Sequence, residues 1–388
     1  MKERNTNDNG KVPRNVIFLG LTSFLNDISG EMIKAAVPSY IRTVLGISPI
    51  LSGFMMGIVE SLSSTTKVIF GRTSDRMKRR KPFAVAGYVT SAVSRVLLAL
   101  TSTWTWFLGL RVMDALGKGI RTAPRDALIA ESGGRTGRSF GLHRMMDTMG
   151  AVVGPIIGLV IIHHFGGTPS IQTYHRIFAI SFIPAVLAVM VITLAVKDTK
   201  KVLLQQRRRG NLNRRVAAFL VVVGIAAMGR YSYAFTLWRV QALGYSLTMS
   251  MAFYTLLNAV YASLAYPFGI YSDRIGKRPL IAAGFGAGAV AAVLFAASWN
   301  LATLMIAFAA YGVFMALDDT IPRAYMADMG EASRGTVIGA YHTVKGSILF
   351  PASLLCGIIW NYVSLSAAFV YAAIMNVLAI LTFLLLMC

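Results

Sequence analysis

A chain of 388 residues, 55% of them hydrophobic and only 14% charged, with a mean hydropathy of +0.61, is too apolar for a soluble protein of two or three domains. Its net charge of +22 invites a nucleic-acid partner, but the basic residues are placed for a membrane and no nucleic acid is expected. Two cysteines, Cys356 and Cys388, both in apolar runs, imply neither a disulfide framework nor a metal centre.

Apolar runs of roughly 20 residues, enough to cross a bilayer, recur from end to end. Twelve spans are expected near 15–45, 49–70, 82–100, 103–131, 138–164, 173–196, 214–242, 247–270, 278–298, 301–329, 335–360 and 364–387. They must be helices, because hydrocarbon offers backbone N–H and C=O groups no other partner. Of the 38 Lys and Arg, 24 fall in six segments: the N-terminus to Arg14, then 71–82, 131–138, 197–215, 271–279 and 330–335. The six intervening connections contain none. This alternation puts both termini in the cytoplasm, and the basic loops suit contact with anionic membrane lipids. The first 14 residues hold no signal-peptide core, so span one is expected to act as the insertion signal.

In span one, Asp27, Glu31 and Lys34 (i, i+4, i+7) share a face near mid-membrane. Span two is followed by GRTSDRMKRRKP, with Gly71, Asp75, Arg76, Arg79 and Arg80. Glycine permits a tight backbone there, and an aspartate can sit at a helix N-terminus or pair with arginine. The segment therefore reads as a releasable clasp, or more plainly as a basic loop that sets topology.

Span four contains RVMDALGKGIRTAPRDALIAE, 111–131, with seven ionisable side chains in 21 positions. Arg111, Asp114, Lys118, Arg121 and Arg125 fall within about an 80° sector of a helix, along about 21 Å of its length. Each charge facing lipid costs at least about 2.5–3.5 kcal/mol. The stripe must meet water or partner charges.

Span five brings Arg144 and Asp147, then GAVVGPIIG, with Gly150, Gly154, Pro155 and Gly158. Small residues four apart let helices approach closely, and Pro155 removes a helical hydrogen bond. Span seven places Arg230 near mid-membrane beside Tyr231 and Tyr233, a candidate substrate wall. Trp238 and Arg239 read as anchors at the outer interface. Spans ten and eleven add Asp318, Asp319, Arg323 and Lys345.

The polar segment 197–215 divides the chain in two, and the halves are related. GRTSDRMKRRKP from Gly71 recurs as GIYSDRIGKRPL from Gly269, with Asp273 and Arg274, at a separation of 198 residues. The same offset carries Pro124-Arg125 onto Pro322-Arg323 and Gly141 onto Gly339. On these motifs the sequence resembles the major facilitator superfamily along its whole length.

The resemblance implies an all-α fold: a polytopic membrane protein of 12 transmembrane helices in two pseudo-symmetric six-helix bundles. The expected boundaries are 1–196 and 214–388, with a cytoplasmic linker at 197–213. It also implies that the first helix of each three-helix unit lines a central cavity, which leaves Glu60, Lys67 and Arg95 off it, in local ion pairs or snorkelling to the interface. The complete G-x-x-x-G-P-x-x-G of span five is similar to the motif of proton-coupled antiporters in that superfamily, although bare glycine spacing is also a packing face. Arg111 matches a fourth-span arginine associated with proton transfer, but Asp114 and Ala115 replace the usual glutamine and glycine.

Asp27, Glu31, Arg111 and Asp114 are thus proton-coupling candidates; the alternative is a fixed ion pair of Asp27 or Glu31 with Arg111. Lys34, Lys118, Arg121, Arg230, Asp318 and Asp319 are substrate candidates. Arg125, Asp126, Arg144, Asp147, Arg323 and Lys345 join the clasp as a cytoplasmic gate, with a bridge expected from Lys345 or Arg323 to Asp126 or Asp147.

No phosphate-cradling loop, cofactor site, metal cluster or nucleophile–base pair is visible. The function expected is secondary active transport by alternating access, with a small-molecule substrate and protons as partners. Export of an anionic, zwitterionic, siderophore-like or drug-like solute leads; import or uniport of an organic anion is the alternative, and a lipid flippase is of another class. The resemblance implies a monomer in a bacterial inner membrane.

Overall fold

The computed structural model describes residues 13–77, 79–132, 136–165, 170–198, 214–329 and 334–387. The first half comprises α1 (Arg14–Thr43), α2 (Pro49–Met77), α3 (Lys81–Leu98), α4 (Trp104–Glu131), α5 (Thr136–His164) and α6 (Ile171–Ala195). The second comprises α7 (Arg214–Met228), α8 (Tyr233–Ala242), α9 (Leu247–Ile275), α10 (Lys277–Ala297), α11 (Leu301–Met329), α12 (Arg334–Tyr362) and α13 (Leu365–Met387). Nine helical stretches among the described residues are apolar and long enough to cross a membrane. α2, α3 and α4 are not among them, and α2 and α4 carry dense charge.

The seventh span was expected to be continuous and is broken. α7 ends at Met228 and α8 begins at Tyr233, so thirteen helices among the described residues make twelve spans. A Cβ on Gly229 would come within 2.7 Å of Met375 and 3.0 Å of the Ala372 carbonyl on α13. The glycine lets the bend press against that helix.

The duplication is visible in the turns. Gly46 and Gly244, 198 residues apart, both adopt left-handed φ (60° and 84°), where glycine escapes the Cβ clash. Two residues on, Ser48 accepts from the Leu51 amide and Ser246 from the Met249 amide, each 3.3 Å, capping α2 and α9 alike. α2 and α9 also run through the clasp motif rather than stopping before it, and Ser74 and Ser272 bond back to the carbonyls of Gly71 and Gly269. Gly71 therefore serves helix approach, not a turn: its Cβ would lie 3.1 Å from that of Ala123 on α4.

Three apolar cores set the shape. One draws on both halves, joining α1–α6 to α8–α13 around Tyr40, Trp238 and Phe295. The other two lie nearer the basic loops and each stays within one half: Val16, Leu128 and Ile192 in the first, Phe219, Ile281 and Met326 in the second. The outer core thus spans both halves, whereas the cores nearer the basic loops do not. Trp238 is no lipid anchor. It is 2% exposed and donates from Nε1 to the Pro38 carbonyl at 2.6 Å, across the seam.

α2 lies along α12 through facing small residues, and a Cβ on Gly57 would sit 2.8 Å from the Phe350 carbonyl and 3.0 Å from its Cα. Gly57→Leu is expected to force the seam apart at a cost of about 1–3 kcal/mol. Thermal unfolding in detergent measures it, and an unchanged midpoint would contradict this packing.

Candidate functional site

Between the halves lies a cavity of about 420 Å³. Six carboxylates line it (Asp27, Glu31, Glu60, Asp114, Asp147, Asp319), with six cations (Lys34, Lys67, Arg111, Lys118, Arg144, Arg230). Tyr231, Tyr233, Tyr254, Tyr261 and Tyr311 supply its aromatic wall.

The α1 carboxylates differ in their commitments. Glu31, 7% exposed, pairs with Lys34 one turn on and accepts from the Tyr254 hydroxyl of the other half at 2.6 Å. Asp27 accepts from the neutral Asn26 side chain at 3.2 Å, and no ion pair to it is found among the described residues. The expected alternative, a pair of either carboxylate with Arg111, is not formed: Arg111 turns to Asp114 on its own helix, at 3.3 Å.

The span-five glycines explain how α1 is held. Gly150 faces the Phe24 carbonyl and Asp27 Cβ, and Gly154 faces the Ile28 carbonyl and Glu31 Cβ. A Cβ at either glycine would stand within about 3 Å of these atoms, so α5 lies flat on the turns that bear the carboxylates. Gly158, one turn further, meets Met251 of the other half, and Pro155 lies inside α5.

The α4 stripe divides. Arg111, Asp114 and Lys118 face the cavity, and Arg95 of α3 reaches Asp114 at 3.4 Å while donating to the Asn26 carbonyl at 3.0 Å. Arg121, expected on the substrate path, is 4% exposed and does not line the cavity. It donates to Ser91 at 2.6 Å and lies over the Tyr88 ring, both on α3. The cause is close approach of α3 and α4 at Gly87 and Gly117, which turns Arg121 inward to that helix. Arg125 bonds Asp126 at 2.9 Å and Ser23 at 3.1 Å.

In the second half, Asp318 is buried (7% exposed) between Arg230 at 3.1 Å and Lys345 at 2.8 Å. Asp319 shares the same cations at 3.7 and 3.4 Å. The substrate candidate Asp318 and the gate candidate Lys345 are therefore absorbed into one buried cluster, and neither lines the main cavity. The expected salt bridge from Lys345 or Arg323 to Asp126 or Asp147 is not found among the described residues; Arg323 is exposed. The halves are joined instead through a tyrosine. Arg144 pairs with Asp147 at 3.4 Å and donates to the Tyr261 hydroxyl at 2.5 Å, which in turn reaches Asp319 at 3.5 Å.

The clasp of the first half closes on itself. Arg80, 5% exposed, bonds Glu131 at 3.2 Å and Ser74 at 2.9 Å. Asp198 accepts from the Arg80 and Lys81 amides at 3.3 and 3.2 Å, capping α3 from beyond α6. Arg76, Arg79 and Arg274 are exposed, and a Cβ at Gly269 would meet open space. The side chains of Asp75 and Asp273 lie outside the described residues, as do Lys78 and most of the linker.

Glu60 and Lys67 were expected off the cavity and stand on it, because α2 packs at the seam with α12 and turns a face inward. Tyr254 and Tyr261 of α9 were not singled out from the sequence. Their seven-residue spacing, two turns of one face, is the signal that marks them.

A two-fold repeated helical bundle with a charged cavity between its halves has the architecture of a membrane transporter. The sequence profile of the Major Facilitator Superfamily matches residues 19–260 and 217–387. An uncharacterised MFS-type transporter of Methanocaldococcus jannaschii is 32% identical over 97% of this chain and 96% of its own length. A multidrug resistance protein, MdtH of Photorhabdus laumondii, is 32% identical over 29% of each chain. Among solved structures, a mutant of the nucleoside transporter NupG superposes with a TM-score of 0.78 at 13% identity, covering 96% of this chain and 100% of that one. A bacterial homologue of the human lysosomal transporter Spinster, inward-facing and occupied, gives 0.77 at 16% identity over 96% of each. The chain belongs to the major facilitator superfamily. It is an integral multi-pass membrane protein, a secondary transporter of a small-molecule substrate and not an enzyme.

Arg230→Met leaves Asp318 short of one of two cations and is expected to cost about 3–5 kcal/mol. Adding Asp318→Asn should recover most of that loss. Thermal unfolding of the single and double variants checks it, and equal midpoints would contradict a cluster held by charge balance.

Proposed function

We propose that the protein exchanges protons for a small zwitterionic organic solute, exporting it by alternating access across the plasma membrane, the inner membrane of a bacterium. It acts as a monomer, since one chain encloses the whole cavity. The observation that carries this is what remains after the ion pairs are counted. Glu31 with Lys34, Arg111 with Asp114, Arg144 with Asp147 and Arg230 with Asp319 neutralise one another. Lys67 and Lys118 on one side, Asp27 and Glu60 on the other, have no ion pair among the described residues. Two cations are thus available to an anionic group, and Asp27 takes a proton without breaking a salt bridge.

Linkage selects between solutes. The charges of Lys118 and Asp27 bear on each other. A simple anion seated at Lys118 removes the cation that favours ionised Asp27, so anion and proton then bind together, which is symport. A solute that also carries an ammonium competes with the proton for Asp27, and competition is what exchange requires. The α5 glycines that press on the Asp27 and Glu31 turns give the site the rigid wall such competition needs.

Proteoliposomes with an internal pH dye and a panel of amino-carboxylates, simple anions and lipophilic cations test this. Zwitterions should drive protons opposite to themselves. Asp27→Asn should lower coupled flux by at least about tenfold with solute binding retained, and Lys118→Gln should raise KM about tenfold with little change in kcat. Movement of protons in the same direction as a simple anion would establish the symport alternative and defeat the exchange reading.

A further inference from the structure

We infer that Glu60 is a second proton-binding site of the transport cycle, and that its ionised carboxylate latches the broken seventh span to the first half. The inference rests on the transport reading, which counts Glu60 among its unpaired charges, but its own test reads the outer opening without substrate.

The break at 229–232 is where the seventh span changes neighbours. α7 below it packs in the inner core of the second half alone, through Val216, Phe219 and Val222. α8 above it belongs to the outer core that both halves share, and Trp238 bonds Pro38 across the seam. Opening the outer side therefore requires α8 to leave the first half while α7 stays with its own. The residue that starts α8 is Ser232, 2% exposed, in extended geometry suited to capping.

Ser232 does not cap its helix. Ser170 and Ser246 each accept from an amide of their own first turn, at Thr173 and Met249. The Ser232 hydroxyl instead donates to Glu60 Oε1 of α2 at 3.0 Å, across the seam. A carboxylate from the other half thus stands at the uncapped, positive end of α8, where negative charge is favoured. Glu60 lines the cavity, so a proton reaches it from the same water as substrate.

The charged and titratable groups that bear on Glu60 come from every side: Lys34 on α1, Lys118 on α4, Arg230 and Tyr233 at the break, and Tyr311 on α11. α12, which packs on α2 through Gly346 and Phe350, turns its Lys345 to Asp318 instead. None of these cations forms a salt bridge to Glu60 among the described residues, so protonation turns one charge-assisted hydrogen bond into a weaker neutral one and removes one charge at the α8 terminus. The sign follows. Ionised Glu60, at higher pH, holds the outer side shut; protonated Glu60, at lower pH, releases it.

The test reads the outer opening directly and needs no substrate. Spin labels replace Leu100 and Trp299, exposed at outer connections of the two halves, in the full chain with Cys356 and Cys388 replaced by Ser. Lowering the pH from about 8 to about 5, across the carboxylate range, should move the parent from a short to a longer interlabel distance, with at least about a threefold change in populations. Glu60→Gln should show the longer distance at both pH values. Ser232→Ala should weaken the short-distance state at high pH yet keep a residual pH response, and Asp27→Asn should respond as the parent does. If Glu60→Gln folds and still follows pH like the parent, the latch is wrong. If instead Asp27→Asn abolishes the response, the proton sensor is Asp27 and the inference falls. Absence of any coupled flux from the parent protein in the proteoliposome assay, with this response intact, would overturn the exchange reading alone.

Discussion

An ionised side chain inside a bilayer has no solvent, and removing it from water costs several kcal/mol unless a partner or a wetted cavity replaces the lost hydration. This protein places twelve charged groups from both halves around one cavity. Each helix around it is set by that constraint. α5 presses glycines against α1 so that its carboxylates stand at the cavity wall. α3 approaches α4 closely enough to take Arg121 out of the cavity and to lend Arg95 to Asp114. α11 and α12 bury Asp318 only because Arg230 and Lys345 flank it.

The same constraint explains where the fold bends. Arg230 reaches Asp318 and Asp319 from the gap between α7 and α8, and Gly229 admits α13 beside it. An unbroken helix would keep the inner and outer parts of the span on one axis. With the break, α7 follows the inner core of the second half and α8 follows the shared outer core. Polar links across the seam, from Glu31 to Tyr254, Glu60 to Ser232, Arg144 to Tyr261 and Trp238 to Pro38, are single hydrogen bonds. A net hydrogen bond is worth about 0.5–1.5 kcal/mol, or about 1.5–3 when one partner is charged. Such links are strong enough to bias two states and weak enough to be exchanged between them.

Twelve spans, most of their ends and the 198-residue repeat were legible because hydropathy and a fixed offset are properties of the chain itself, although α2 and α9 run on past the expected ends at 70 and 270; Gly46 with Gly244 and Ser48 with Ser246 extend the offset to the turns. The stripe of α4 was legible only in part. Its spacing shows that the charges share a face, but whether that face meets the cavity or α3 is decided by Gly87 and Gly117, whose significance appears only when the helices are packed. Glu60 was misplaced because the cavity was assigned by helix number, whereas its exposure depends on how α2 rolls against α12. The break in the seventh span had no proline to announce it. A lone glycine in an apolar run reads as ordinary, and the arginine that follows it is explained only by partners about 90 residues away on α11.

The central claim is that the outer core is a seam that opens and closes while the cavity stays where it is. A cysteine replacing Ala151 on the cavity wall, in a chain lacking Cys356 and Cys388, can be offered a membrane-impermeant thiol reagent from either side of oriented vesicles. Cysteines replacing Phe54 and Phe350, whose rings lie 5.7 Å apart on α2 and α12, allow the seam to be tied by a short reversible cross-link before that labelling. The account predicts labelling from both sides when the seam is free, and from the cytoplasmic side alone when it is tied. Labelling from outside at the same rate with the seam tied would contradict it.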